Sequence, residues 1–395
     1  MKTPFQERIA QILDSFSTDC SFEQKEVSLL AGETGKALFY SVLSRNRYQS
    51  VLEQLYVIYD NIAHEISNIQ HYSYCNGLAG IGWFYQFMND EGYFENDTNM
   101  LLEDFDLYLA TVLKLLMEKN DTDFLHGATG IAYYFYSRSK DNTNVNAVLQ
   151  GYVDALSKWV ETNHGLVKLA TTEHQTNKTI YNISLSHGMS AIVSILARIY
   201  TIDALRTEQV KQLIEGFMNY ILAQEIDKDK YGSFFPNWAI ESTSPMYGSR
   251  LAWCYGDLGI GITLYQVGRI LNRKDWMNKA LEVLLYTATK RRNLQENLVH
   301  DACICHGTAG IGQIFYRMWW NTRLPEFKDA GDYWFNETLK MSKFEDGLAG
   351  YKVWHGEEGF VNQTGLLEGI AGIGLALTSY AYEINPTWDQ CLLLS

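Results

Sequence analysis

Apolar residues recur at intervals of three and four in four long segments of the chain. These read "MLLEDFDLYLATVLKLLMEKN" (100–120), "VNAVLQGYVDALSKWVE" (145–161), "TEQVKQLIEGFMNYILAQE" (207–225) and "WMNKALEVLLYTATKRR" (276–292). That period puts the apolar side chains on one face of an α-helix, so each segment predicts an amphipathic helix that buries one side. Between them lie segments of a second kind, opened by glycines and small residues, such as "GIAGIGLALTSYAYEI" (369–384). Two alternating helix types predict an all-α fold in which outer, amphipathic helices cover inner, glycine-opened ones.

The glycine element is a repeat. It reads "AGETGKALFY" from Ala31, "NGLAGIGWFY" from Asn76, "HGATGIAYYF" from His126 and "HGMSAIVSIL" from His187. It continues as "YGDLGIGITLY" from Tyr255, "HGTAGIGQIFY" from His306 and "EGIAGIGLAL" from Glu368. The first glycines of the seven copies are Gly32, Gly77, Gly127, Gly188, Gly256, Gly307 and Gly369, spaced 45 to 68 residues apart, which is room for a helix pair per copy. A dinucleotide-binding glycine loop must follow a strand and open a helix once. Here no Val/Ile-rich strand consistently precedes the copies, and sevenfold recurrence is wrong for such a unit. Ala191 replaces the second glycine in the fourth copy, a small enough change to leave the helix packing intact. Stacked helix pairs form an open solenoid or close on themselves. Neither chain end carries a polar capping repeat, which favours a closed double ring of inner and outer helices, one domain over 1–395. Two connections, 162–183 and 226–250, are long and less helical. They predict either short strands and loops over the mouth of the ring or plain surface decoration.

The repeat also serves as a coordinate system, because residues at one offset from the first glycine should share one height. Two positions before it stand Cys254 in the fifth copy and Cys305 in the sixth. One position before it stand His126, His187 and His306, and four before it Asp123 and Cys303. Cys254, Cys305 and His306 make two thiolates and an imidazole, a ligand set for Zn²⁺, one ion per chain, with a fourth position left open as in catalytic zinc sites. Cys303 is a competing ligand that ranks below Cys305 because its offset differs. Cys75 shares the offset of Cys305 but lies three copies from Cys254. Cys20 and Cys391 fall outside the register. A redox role for Cys303 and Cys305 lacks the usual two-residue spacer. His126 stands in register without an assigned chemistry.

Composition narrows the function classes. A formal net charge of −14, without a basic face, excludes a nucleic-acid partner and suits either a cationic substrate or simple solubility. Aromatic residues reach 14%, with 26 Tyr and 10 Trp, as a large core or a ring-lined cavity requires. No run of 18 apolar residues predicts a membrane span. Six scattered cysteines and no secretory signal predict a cytoplasmic protein with free or metal-bound thiols.

"AWCYGDLGIG" and "CHGTAGIG", with "SLSHG" upstream and the seven glycine repeats, resemble the lanthionine synthetase C family over essentially the whole chain. The resemblance implies a seven-repeat α/α toroid with zinc in its central cavity. It implies a stand-alone lantibiotic cyclase that adds peptide cysteine thiols to dehydroalanine or dehydrobutyrine, forming lanthionine and methyllanthionine rings. By the same resemblance His187 moves the proton, Asp123 orients or charges His187, and Arg250 steadies negative charge on a carbonyl oxygen, with Tyr255 as a weaker donor. The implied partners are a dehydrated precursor peptide, its dehydratase and an export transporter, through which the enzyme would sit at the inner face of the membrane. Two other classes compete: a non-catalytic module that binds zinc and captures glutathione or a peptide cysteine, and a prenyltransferase-like zinc enzyme. A mixed Asp/Cys/His ligand set would suit the prenyltransferase better than two cysteines and a histidine.

Overall fold

The structure is a computed structural model that describes residues 2–18, 26–46, 49–94, 99–140, 142–172, 177–242 and 247–395. A helix follows each of the seven first glycines: α2 (Glu33–Arg45), α4 (Leu78–Asp90), α6 (Ala128–Arg138), α8 (Met189–Ile199), α11 (Asp257–Ile270), α13 (Thr308–Thr322) and α15 (Ile370–Ala381). The second kind comprises α1 (Pro4–Thr18), α3 (Leu52–Glu65), α5 (Asn99–Glu118), α7 (Val145–Trp159), α9 (Glu208–Leu222), α12 (Lys274–Lys290) and α14 (Pro325–Lys340), with a single turn α10 (Lys228–Tyr231) between α9 and α11. The four segments with helical period are α5, α7, α9 and α12. The all-α class stands.

The two kinds differ as their patterns require. All eleven residues of α8 are buried, as expected of a helix that meets protein on every side. Helix α9 buries Val210, Leu213, Ile214, Phe217 and Ile221 along one stripe and starts where the Thr207 hydroxyl accepts the Val210 N–H at 3.3 Å.

Six of the seven inner helices begin from the same kind of loop. In six copies the N–H after the first glycine returns to the carbonyl six residues before that glycine, over 2.8–3.1 Å; the donors are Glu33, Leu78, Ala128, Met189, Thr308 and Ile370. The second glycine lets the preceding copy come close. A Cβ at Gly372 would stand 1.8 Å from the Leu366 carbonyl oxygen and 2.6 Å from the Ile304 side chain, so only glycine fits. The fifth copy is built differently. Gly256 has φ +82°, a conformation that glycine alone adopts freely, and its loop is anchored by the buried Asp257–Arg291 pair.

The chain divides into two compact units. The first comprises Met1–His71, Cys75–Phe84 and Arg292–Ser395. Within it the offset found in the sequence is a physical ladder. The residue two before the first glycine donates its N–H to the carbonyl of its counterpart in the next copy: Cys305 to Leu367 (2.9 Å), Leu367 to Leu30 (2.8 Å) and Leu30 to Cys75 (3.2 Å). The seventh copy is thus bonded to the first. Helix α1 packs on α15, so the first helix of the chain is the outer partner of the last inner helix. Buried Arg317 binds Asp389 at 2.8 Å and fastens the C-terminal turn. The first unit also carries a hairpin, β5 (Val353–Trp354) with β6 (Phe360–Val361), which the hydrophobic pattern does not signal.

The second unit comprises Tyr72–Tyr74 and Tyr85–Arg291. The same ladder joins its fourth and fifth copies, Ser186 N–H to Cys254 carbonyl at 3.3 Å. The 162–183 connection carries β1 (Glu161–Asn163) paired with β2 (Leu166–Lys168) and β3 (Thr171–Thr172) paired with β4 (Thr179–Ile180). Strand β2 lies on α9, where Val167 fills the space that a Cβ on Gly216 would take. The 226–250 connection joins these strands: Ala239 donates its N–H to the Tyr181 carbonyl at 3.0 Å, and Trp238 bridges Asn182. These segments form short strands and loops that wall a pocket.

Candidate functional site

The predicted site residues fall in two groups, one in each unit. In the second unit, His187 ends the loop before α8 and Asp123 stands in the loop before α6. His187 Nδ1 lies 2.6 Å from Asp123 Oδ2, while Asp123 Oδ1 accepts the His126 backbone N–H at 2.8 Å. Both carboxylate oxygens are therefore engaged, and the imidazole is fixed in the tautomer or charge state that puts a proton on Nδ1. Burial works against a charged imidazole, but the bond to Asp123 and its negative charge outweigh that and raise the His187 pKa; Cys254 acts in the same direction. Burial likewise pushes the Asp123 carboxyl up, and His187 and the His126 N–H more than reverse it, holding it below the usual carboxylate range.

Aromatic rings frame this pair. The exposed His126 ring stacks on His187 at 6.1 Å, which places the histidine of unassigned chemistry beside the predicted proton donor. Tyr255 stands 6.3 Å from His187, and Trp238 meets Tyr255 edge-on at 5.2 Å. Asp123, His187, Tyr255 and Trp238 line a pocket of about 440 Å³ whose wall includes Thr171, Thr172 and Ile180 of β3 and β4. Buried Cys254 is tied to the same loops, because its carbonyl accepts both the N–H and the hydroxyl of Ser186. Arg250 is half-buried six residues before Gly256.

In the first unit, Cys305 and His306 precede α13, and Cys305 is the more exposed thiol of its pair with Cys303. Cys305 Sγ, a His306 ring nitrogen and a Glu368 carboxylate oxygen all lie within 4.8 Å of one another. Thiolate, imidazole and carboxylate are all donors that zinc accepts, so these residues fit the ion. Asp301, Cys303 and His306 make a second cluster of the same size. The two differ in what is free to bind. Cys303 is fully enclosed, and burial with the Asp301 charge drives its pKa well up, keeping the thiol protonated. Asp301 Oδ2 lies 3.3 Å from His306 Nε2, while its oxygens also accept the N–H groups of Cys303 (3.0 Å) and Trp354 (2.9 Å). Burial pushes the Asp301 carboxyl up, yet His306 and these N–H groups hold it low, so it stays ionised. Such a carboxylate accepts a hydrogen bond from Nε2–H, which leaves Nδ1 as the donor atom of His306.

A family model described as lanthionine synthetase C-like protein matches residues 23–393. The chain belongs to the lanthionine synthetase C-like family. Nisin biosynthesis protein NisC of Lactococcus lactis subsp. lactis is 25% identical over 417 residues, which cover 95% of this chain and 90% of that protein. A solved structure of nisin cyclase superposes with a TM-score of 0.76 at 21% identity, covering 99% of this chain and 96% of that one. The fold of this lanthionine synthetase C-like chain is therefore that of nisin cyclase.

Asp301, Glu368 and His355 were not reached from the sequence. Register alone contained a signal for two of them. Asp301 stands six before its glycine, as Asn182 does, and both side chains accept the N–H two residues on. Glu368 stands one before its glycine, the place of His306 in the neighbouring copy. No comparable signal marks His355, which lies outside the repeats.

Proposed function

We propose that this family member is a zinc-dependent peptide cyclase that adds cysteine thiols of a dehydrated precursor peptide to dehydroalanine or dehydrobutyrine, closing (methyl)lanthionine thioether rings. One observation carries the reading: at a single register position the chain holds a carboxylate-bound imidazole lining a pocket, His187, and a second imidazole with an adjacent accessible thiol, His306. Cys305 and His306 hold the metal, and Cys254 joins them on the strength of its equivalent offset and the family pattern. Bound zinc supplies an environment in which a peptide thiol, with an ordinary pKa near 8.5, ionises at neutral pH.

The remaining work belongs to the chain. Attack of the thiolate sulfur on the β-carbon of the dehydro residue forms the C–S bond and leaves an enolate, which takes a proton at its α-carbon. His187, protonated to a higher pH than an ordinary histidine and lining the pocket, donates that proton, and Asp123 holds its ring by Nδ1. Arg250 steadies the enolate oxygen, and Tyr255 is the second donor. The pocket of about 440 Å³ takes a short peptide segment alongside Trp238 and Tyr255. The substrate comes from a dehydratase and the product leaves through an export transporter, so we place the enzyme in the cytoplasm, at the inner face of the membrane through these partners. Among the described residues no helix is long and apolar enough to cross a membrane.

The test is thiol alkylation with mass spectrometry after incubation with a dehydrated precursor peptide. Ring closure leaves the peptide mass unchanged and removes every alkylation adduct. Persistent free cysteines in a competent substrate overturn the cyclase and favour a thiol-binding module. Stoichiometric zinc in the purified protein, lost in Cys254→Ala and Cys305→Ala, checks the ligand set.

A further inference from the structure

Glu368 has no part in the ligand set of Cys254, Cys305 and His306, yet its carboxylate lies within 4.8 Å of the donor atoms of Cys305 and His306. The backbone fixes this closeness, since the Cys305 N–H is bonded to the carbonyl of Leu367, the residue beside Glu368. Thiol, imidazole and carboxylate oxygen gathered this closely are the donor types that one divalent cation collects. Among the described residues the one hydrogen-bond partner of Glu368 is His355, whose Nε2 lies 3.1 Å from Glu368 Oε2. That bond leaves the second carboxylate oxygen available to a metal.

His355 is itself placed. It follows β5 in the β5–β6 hairpin, where its N–H donates to the Gly359 carbonyl at 2.9 Å. The residue before it, Trp354, donates its N–H to Asp301, the carboxylate behind His306, and its ring packs on Phe360 at 5.0 Å. Two consecutive hairpin residues therefore contact the two carboxylates nearest the thiol–imidazole pair. The Glu368 and His355 side chains are 39% and 29% exposed, so an incoming ligand can reach and displace the carboxylate.

We propose that Glu368, oriented by His355, is a fourth donor of the metal set and competes there with a thiol. The inference rests on the metal reading proposed above. It gives the site a resting state with all four positions filled, in which a free small thiol binds poorly. A peptide cysteine held close by the rest of its chain has the higher effective concentration and displaces the carboxylate. The exchange would balance simply: the thiol would lose its proton to solvent, its sulfur would take the position, and the carboxylate would leave it while keeping its bond to His355.

Cobalt(II), added to the metal-free full-length protein, is the probe, because thiolate-to-cobalt absorption reports each sulfur donor. In Glu368→Gln the absorption persists, cobalt affinity falls about tenfold, and N-acetylcysteine binds the loaded protein about tenfold more tightly. His355→Ala shifts both quantities in the same direction by less, and wild-type thermal unfolding verifies that each variant is folded. Unchanged cobalt and thiol affinities in Glu368→Gln, with the absorption lost in Cys305→Ala, overturn the fourth donor and leave the metal centre standing. No thiolate absorption in the wild type overturns both.

Discussion

His187 and His306 occupy the same place in two copies of one repeat, each one residue before its glycine, and each has an aspartate. They differ in which nitrogen that aspartate takes. Asp123, from the preceding copy, takes Nδ1 of His187 at 2.6 Å, whereas Asp301, from the same loop, stands 3.3 Å from Nε2 of His306. The neighbours differ too: His187 lies among the rings of His126 and Tyr255, and His306 lies beside the Cys305 sulfur and the Glu368 carboxylate. On the function proposed above, one backbone position thus serves as a proton carrier in one copy and a metal donor in another. The identity of the residue does not decide its chemistry; the origin of its carboxylate and the softness of its neighbours do.

The sharpest way to break this contrast is to remove each imidazole in turn. His187→Asn should lower the cyclisation rate by about 10²–10⁴-fold with metal content unchanged, measured by single-turnover kinetics and metal analysis on the same sample. His306→Asn should lose metal and activity together. Loss of metal from His187→Asn, or its retention in His306→Asn, would erase the distinction.

A milder break targets the carboxylate behind the metal donor. Asp301→Asn keeps the shape but weakens the hold on the Nε2 proton, so zinc affinity should fall about 10–100-fold in a chelator competition. Asp123→Asn should leave that affinity at the wild-type value. Equal losses in the two variants would mean that the aspartates act only on the fold.

The sequence made much of this legible because the repeat converts distance along the chain into height. The pairing of His187 with Asp123 followed from register and resemblance, and the ladder from Cys305 through Leu367 and Leu30 to Cys75 is the physical form of that register. Four of the seven outer helices, α5, α7, α9 and α12, were readable from their 3.6-residue period. The β5–β6 hairpin was not, because two-residue strands are too short to show alternation. With it went His355, a residue whose meaning depends on a contact across thirteen positions to Glu368. The union of α1 with α15 was equally hidden, since an amphipathic first helix says which face it buries and not against what.

The pH dependence tests the proton-carrying side of the contrast. Because the folded protein raises the His187 pKa, the imidazolium persists above the ordinary value near 6.5. Its contribution to stability is complete below the unfolded pKa and is lost as pH rises through the raised one. Asp123 has the opposite sign: its lowered pKa gives stability above the unfolded carboxylate value that disappears as pH falls through the lowered one. Proton donation by His187 should therefore hold through neutrality and decline on the alkaline side. In Asp123→Asn the raising bond and charge are gone while burial remains, so the alkaline decline should move to lower pH. Rate–pH profiles of the two proteins at saturating peptide check this, and a profile unmoved by the substitution would remove Asp123 from proton transfer.

The smallest effect is expected at His126. Its ring stacks on His187 from an exposed position, while the bond that matters to Asp123 comes from its backbone N–H. His126→Leu keeps that N–H, so the rate should change by no more than about threefold and the alkaline decline should stay in place. A large loss, or a shifted decline, would mean that the ring itself relays or tunes the proton. The chemistry would then extend through three consecutive copies, His126, His187 and Tyr255, and the contrast with His306 would be between a histidine pair and a single metal donor.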